Sequence, residues 1–349
     1  MPRTTHRGRT ASLHPDTGSM IRVAVDALGG DRAPEEIVAG ALEVRSDAIE
    51  PILFGPPGLD TGGLELVEAP DRITMDDKPA EAVRAKPGSS LVAANRAVGE
   101  GRADAVVSGG NTGAMLAAGL LEIRRLKGVH RPAIAAVIPA RFGASVLIDA
   151  GANADSRAEH LVQFAHMGAI FAEEILERPN PEVRLLSIGE EPEKGSQLVL
   201  EAHALLQKSG LNFKGNTEAR ELLRFAADVV VADGFTGNIA LKLLEGTIRE
   251  LLDALREEIS ATTRGKLGGL LIRPAARGLR SRLDPDTYGG AYLLGLRGLS
   301  VIAHGNSSRT AIANAIRLAA RGVENGVVDR LSERMVVDSA RPGVPNQAR

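Results

Sequence analysis

Six times along this chain a short run of Val, Ile, Leu and Ala breaks off into glycine and small polar residues, and a segment of helical spacing follows. The breaks read "DALGGD" (26–31), "SGGNTG" (108–113), "DAGANAD" (149–155), "SIGEEPEKG" (187–195), "ADGFTGN" (232–238) and "AHGNSS" (303–308). The apolar runs are continuous rather than alternating, so the strands they predict are buried on both faces, as in a parallel sheet covered by helices on each side. Such sheets place their working crevice beyond the carboxyl ends of the strands. The tails are therefore expected to gather at one sheet edge. Glycine lets backbone approach a ligand closely. Asn, Ser and Thr can cap a helix or bond a ligand oxygen, and a helix N-terminus faces anions. One such turn reads as ordinary capping; six together predict an anion-friendly cleft.

The pattern predicts an α/β fold, a mostly parallel sheet with helices on both faces. Strands are expected at Ile21–Asp26, "PILFG", "LELVEA", "ADAVVSG", "AIAAVIP", "ASVLIDAG", "VRLLSIG", "DVVVADG" and "LSVIAHG". "ARFG" turns one of these back on the next. Helices are expected from Pro34 to about Arg45 and at Gly88–Glu100, Asn111–Lys127 and Ala158–Leu176. Further helices should span about Ser196–Lys208, Thr236–Ser260 and Ser308–Asn325. Residues 1–19 are basic and polar and read as a disordered extension. Residues 20–330 read as one catalytic domain carrying a basic helical hairpin at about 250–285, and 331–349 as a flexible tail.

Composition removes several chemistries. With no cysteine among 349 residues, disulfides, thiolate–metal sites and a cysteine nucleophile are excluded. A net charge of −2 and 3% aromatic residues favour neither a nucleic-acid field nor base stacking. "MPRTTHRGRTASLHPDTGS" has no apolar core of a signal peptide, and no run reaches the length of a spanning helix. A cytoplasmic protein is expected, with peripheral contact to the inner face of a membrane left open. No G-x-x-x-x-G-K-[ST], G-x-G-x-x-G, G-x-S-x-G or H-E-x-x-H motif occurs, so P-loop, dinucleotide, nucleophile-elbow and zinc-protease readings have no support.

Longer blocks carry a resemblance. "VAVDALGGDRAPE", "DKPAEAVRAKPGSSLVAANRAVGEGRADAVVSGGNTGAMLAAG", "VLIDAGANADSRAEHLVQFAHMGAIFAE", "IGEEPEKGSQLV", "NFKGNTEARELL", "DVVVADGFTGNIALKLLEG" and "TYGGAYLLGLRGLSVIAHGNSS" resemble the phosphate acyltransferase (PlsX) family of bacterial phospholipid synthesis. The resemblance runs from about Met20 to Val328; the N-terminal tail and the residues after about Arg330 depart from it. It implies transfer of a fatty acyl group from acyl carrier protein to inorganic phosphate, giving acyl-phosphate. It also implies a homodimer and a fold similar to the isocitrate and isopropylmalate dehydrogenases. The product would serve a membrane-bound glycerol-phosphate acyltransferase.

The residues are compatible with that chemistry. Phosphate is itself an anionic nucleophile, so attack on a thioester needs no serine–histidine pair, no cofactor and no metal. It needs positioning, which can supply ~7–11 kcal/mol, and donors for the developing oxyanion. Candidate phosphate contacts are Asn111, Thr112, Thr236, Asn238, Asn306 and Ser307. Lys194 is the preferred cation and Lys242, one turn inside its helix, the second. His304 could protonate the thiolate leaving group or be a structural strand-end histidine. Asp26, Asp31, Asp149 and Asp233 would repel phosphate and are read as orienting residues.

"TTRGKLGGLLIRPAARGLRSRL" (262–283) carries six positive residues and no acidic one. Leu267, Leu270, Leu271 and Ile272 form an apolar cluster ahead of Arg273, Arg277, Arg280 and Arg282. The stretch fits a solvated dimer arm, docking of the acidic carrier protein or contact with anionic lipid. Gly268, Gly269 and Pro274 argue against one uninterrupted helix, and a hairpin with an apolar tip is expected. Three rivals to the acyl-carrier reading remain: a decarboxylating NAD-dependent dehydrogenase, a phosphotransacetylase acting on acyl-CoA, and a non-enzymatic lipid-surface scaffold. The dehydrogenase lacks its metal-binding aspartates, and the scaffold leaves the six polar tails unexplained.

Overall fold

A computed structural model describes residues 20–141, 143–283 and 289–339. The strands are β1 (Ile21–Asp26), β2 (Ile49–Gly55), β3 (Glu65–Glu68), β4 (Ala105–Ser108), β5 (Ala133–Ala140) and β6 (Gly143–Ile148). They continue with β7 (Val183–Ser187), β8 (Phe213–Glu218), β9 (Val229–Val231), β10 (Ala291–Leu294) and β11 (Leu299–Ile302). They form one sheet in the order β3-β2-β1-β4-β11-β10-β5-β6-β9-β7-β8. The helices are α1 (Glu35–Leu42), α2 (Pro79–Ala85), α3 (Ser90–Gly99), α4 (Thr112–Ala118), α5 (Ala158–Leu176) and α6 (Gln197–Leu206). After them come α7 (Gly234–Ala261), α8 (Thr263–Leu283), α9 (Arg309–Glu324) and α10 (Val327–Ser339).

The mostly parallel α/β architecture is as the apolar runs require. One face of the sheet is covered by α1, α5, α9 and α10, through Ile37, Phe164, Phe171, Ile316 and Leu331. The other is covered by α2, α3, α4 and α7, through Val83, Leu91, Met115, Leu244 and Ile248. α5 comes close enough to the sheet that a Cβ at Gly168 would lie 2.7 Å from Val229 Cγ1. Serine hydroxyls close helix starts as the tails suggest: Ser89 accepts from Val92 N, Ser196 from Val199 N and Ser308 from Ala311 N.

The single-edge expectation fails. β3, β2, β1, β4 and β11 run parallel, but β10 is antiparallel to both β11 and β5, and β5 is antiparallel to β6. β6, β9, β7 and β8 are parallel again, in the reversed direction. The tails of β1, β4 and β11 therefore open at one edge, and those of β6, β7 and β9 at the opposite edge.

Two further expectations are corrected. α8 runs on through Gly268, Gly269 and Pro274: it closes on α7 at Gly265 and Gly269, both near Ile259, and the Leu, Ala and Arg residues between the breakers favour helix. The hairpin turns at Thr262, where a Cβ at Gly265 would lie 2.3 Å from the Ile259 carbonyl oxygen. Its tip is thus threonine-rich, and the exposed Leu267, Leu270 and Leu271 lie beyond it on α8. The residues after Arg330 continue α10 to Ser339, with Leu331 and Met335 in the core. Residues 1–19 and 340–349 lie outside the described residues.

Candidate active site

At the first edge three strand tails pack backbone against backbone. A Cβ at Gly109 would lie 3.0 Å from the Gly29 carbonyl oxygen and 3.1 Å from that of His304; one at Gly30 would lie 3.0 Å from Gly305 O. Only glycine allows this approach. Asp26, 2% exposed, fixes the floor of these turns. Its carboxylate accepts from Ser90 Oγ at 2.5 Å and Ser108 Oγ at 2.7 Å, and Ser108 Oγ accepts from Gly110 N at 3.0 Å. Burial pushes the Asp26 carboxyl above the ordinary carboxylate range, against the lowering effect of the two hydroxyls, the Leu28 amide and the Arg72 charge. Arg72 donates to Gly30 O at 2.7 Å; it was not singled out in the sequence because it stands outside every strand tail.

Asn111 and Ser307 divide the phosphate expectation. The Asn111 amide donates to the carbonyls of Thr74, Met75 and Asp77, each at 3.2 Å, and its Oδ1 accepts from Ala114 N. That side chain caps α4 and clamps the 74–77 loop, so its donors are spent. Ser307 is 4% exposed and its hydroxyl has no hydrogen-bond partner among the described residues. Thr112, the first residue of α4, and Asn306, next to Ser307 in the chain, are both exposed. Asp31 is exposed and its amide donates to Gly305 O. We expect Ser108→Ala to cost about 1–3 kcal/mol, since it strands the Gly110 amide and one Asp26 oxygen. Urea midpoints check this, and an unchanged midpoint would show the cluster to be dispensable.

At the opposite edge Asp149 is fully buried and organises the turn after β6. Its Oδ1 accepts from the amides of Ile134, Gly151 and Ala152, and its Oδ2 from Asn153 N and Nδ2. Burial again pushes this carboxyl up, against the pull of those donors. Asp233 caps α7: Oδ1 accepts from Phe235 N and Thr236 N, and Oδ2 from Thr236 Oγ1 at 2.7 Å. Thr236 and the first amides of α7 are thereby committed to a carboxylate, a poor seat for phosphate. Asn238 differs. It is half-buried against Gly151, and its amide has no hydrogen-bond partner among the described residues. Lys194 follows β7 at this edge, exposed, with no partner for its ammonium among the described residues. Its backbone is held: Lys194 O accepts from Ser187 Oγ, and Glu191 O accepts from Asn216 Nδ2.

One helix joins the two edges. α7 starts at the Asp149 turn and crosses the sheet face, and its Glu245 Oε1 stands 3.4 Å from His304 Nε2. Asn238, Lys242 and Glu245 follow at i, i+4 and i+7, one face of the helix, spanning about 10.5 Å at 1.5 Å per residue. The structure thus brings Asp26, Asn111, Thr112, His304, Asn306 and Ser307 together at one end of that face. Asp233, Thr236 and Asn238 meet at the other. Arg273, Arg277 and Arg280 are exposed on α8 and belong to neither group. Among the described residues no cluster of three or more His, Asp and Glu side chains forms a metal site, and no helix is long and apolar enough to cross a membrane.

A family model described as "Fatty acid synthesis protein" matches residues 21–330. A phosphate acyltransferase of Heliobacterium modesticaldum is 45% identical over 327 residues, covering 90% of this chain and 98% of the relative. One of Desulfitobacterium hafniense strain Y51 is 47% identical over 327 residues, with the same coverage of each. Among solved structures, a phosphotransacetylase from Streptococcus pyogenes superposes with a TM-score of 0.59 at 17% identity, covering 88% of this chain and 95% of that one. A 4-hydroxythreonine-4-phosphate dehydrogenase from Klebsiella pneumoniae does so with a TM-score of 0.50 at 14% identity, over 88% and 98% of the two chains. At these identities the last two speak for the fold alone.

Proposed function

The chain belongs to the fatty acid synthesis protein family together with the phosphate acyltransferases, and from that premise we propose that it moves a fatty acyl group from acyl carrier protein to inorganic phosphate. It is an acyltransferase, which removes the non-enzymatic scaffold reading. The acyl-phosphate product would feed phospholipid synthesis. A phosphate oxygen attacks the thioester carbonyl carbon, the C–S bond breaks, and the departing thiolate takes a proton. Phosphate lies along the α7 face between the edges, against Ser307 and Thr112 on one side and Lys242 or Lys194 on the other, with the Asn238 amide aimed at the thioester oxygen where negative charge develops. His304 supplies the proton, its imidazole held by Glu245. The observation that carries this reading is the single helix face that presents an amide at Asn238, unpartnered among the described residues, and the histidine's carboxylate at Glu245.

Glu245 acts through His304, so Glu245→Gln should lower kcat several-fold at unchanged KM for phosphate, by weakening the hold on the imidazole. A shifted pH profile of kcat marks that role. A normal profile with lost stability would leave Glu245 purely structural. The donor is tested by supplying phosphate with either palmitoyl carrier protein or palmitoyl-CoA and measuring acyl-phosphate. Turnover with the carrier supports the proposal. Turnover with CoA alone would favour a phosphotransacetylase activity, and no product with either would overturn it. The exposed leucines and arginines of α8 suit contact with an anionic lipid surface, and the chain is expected to work as a homodimer.

A further inference from the structure

A second basic surface lies where neither the strand tails nor the α8 hairpin pointed. We propose that the acidic carrier protein docks on the cations around the start of β5, beside the Asp149–Asn238 end of the site. The inference rests on the carrier-protein donor proposed above. Arg124, Arg125, Lys127 and Arg131 occupy eight residues before β5; Arg157 precedes α5 and Arg297 follows β10. All six side chains are exposed, and none is paired with a carboxylate among the described residues.

Hydrogen bonds make these segments one surface. Arg297 Nε donates to Arg125 O at 3.0 Å, and Arg125 donates to the His130 carbonyl. Gln163 of α5 accepts from His130 N at 2.9 Å and donates to Gly128 O at 2.8 Å. The rings of His130 and His160 meet edge to face at 6.3 Å. His160 is held below the ordinary imidazole range by burial and then by the charges of Arg131, His130 and Arg157, the direction a locally positive field imposes. Asp155 and Glu159 are the exposed acids nearby, and Glu122 is taken by Arg96 at 3.0 Å.

Position gives the patch its use. β6 and β10 both end at this edge, and Asn153 Nδ2, bonded to Asp149, also donates to Pro132 O at 2.7 Å, next to Arg131. A carrier seated on the arginines would have its thioester arm at the Asn238 end of α7. The adjoining turn exposes Leu120 and Leu121, which suits a partner that also buries apolar side chains. Uncompensated charge at a rim accelerates encounter with an oppositely charged partner.

The test compares full-length wild type with Arg124→Glu/Arg131→Glu/Arg157→Glu and the matching triple glutamine variant. We expect kcat/KM for palmitoyl carrier protein to fall on the order of 10- to 100-fold in the glutamate variant and less in the glutamine variant. KM for phosphate should stay within about twofold, and added salt should lower the wild-type kcat/KM for the carrier. An unchanged carrier kcat/KM overturns the proposal, as does an equal rise in the phosphate KM. Loss of binding to phosphatidylglycerol vesicles with carrier kinetics intact would assign the patch to lipid instead and also overturns it. If wild type turns over palmitoyl-CoA alone, the donor reading fails separately. Carrier binding by calorimetry then decides: tighter binding by wild type than by the glutamate variant sustains the surface, and no binding by wild type removes it.

Discussion

Replacing Asn238 with alanine is expected to lower turnover at least tenfold in a protein that folds as wild type does. Removing one donor aimed at a developing oxyanion costs ~2.7–4 kcal/mol, on the order of 10²- to 10³-fold in kcat. Asn238 offers the structural conditions for that role. It sits in the first turns of a long helix, is steadied against Gly151, and spends its amide on no other described residue. Asn111 makes the contrast. Its amide already serves three carbonyls and its oxygen caps α4, so Asn111→Ala should lose stability together with turnover. Kinetics and urea titrations on both variants separate the two effects. A wild-type rate in Asn238→Ala would remove this residue from the reaction.

Gly237→Ala is expected to be the most disruptive single methyl at the site, costing about 3 kcal/mol or more. A Cβ there would lie 1.9 Å from the Asp149 carbonyl oxygen and 3.0 Å from its carbon. Neither partner can yield. The Asp149 turn is pinned by its own side chain to Ile134, Gly151, Ala152 and Asn153, and Gly237 N is bonded to Asp233 O inside the helix. The start of α7 must therefore swing away, carrying Asn238 and Glu245 from their places, so activity should fall with stability. Gly246→Ala on the same helix is the control: a Cβ there meets nothing within 4 Å, so the gain in helix propensity should leave stability equal or up to about 1 kcal/mol higher. Equal urea midpoints for Gly237→Ala and wild type would contradict the close approach.

Much of this arrangement was legible in the sequence, because fully buried strands and serine-capped helices announce themselves locally. Ile21–Asp26, Ala158–Leu176 and the two runs joined by "ARFG" stand where the residues predict. The direction of the sheet was not equally visible. "ARFG" already implied one reversal, but β10, four residues between Gly290 and Gly295, is too short to show a period. Because β10 is antiparallel to both its neighbours, its two reversals cancel, and it is the reversal at "ARFG" that sends the tails of β6, β9 and β7 to the opposite edge. The site's wiring was hidden for a related reason: Glu245 meets His304 across 59 positions of sequence, and Asn111's commitment to the 74–77 loop depends on tertiary contact alone. α8 shows the converse, where Gly and Pro carried a breaking signal that the continuous helix does not follow.

In the proposed reaction phosphate attacks the thioester directly, with both substrates held on one face of α7 and no acyl-enzyme between them. Initial rates with palmitoyl carrier protein and phosphate varied together test it most directly. Double-reciprocal lines that intersect, marking a ternary complex, are the predicted result. Parallel lines, the fingerprint of a covalent intermediate, would contradict it.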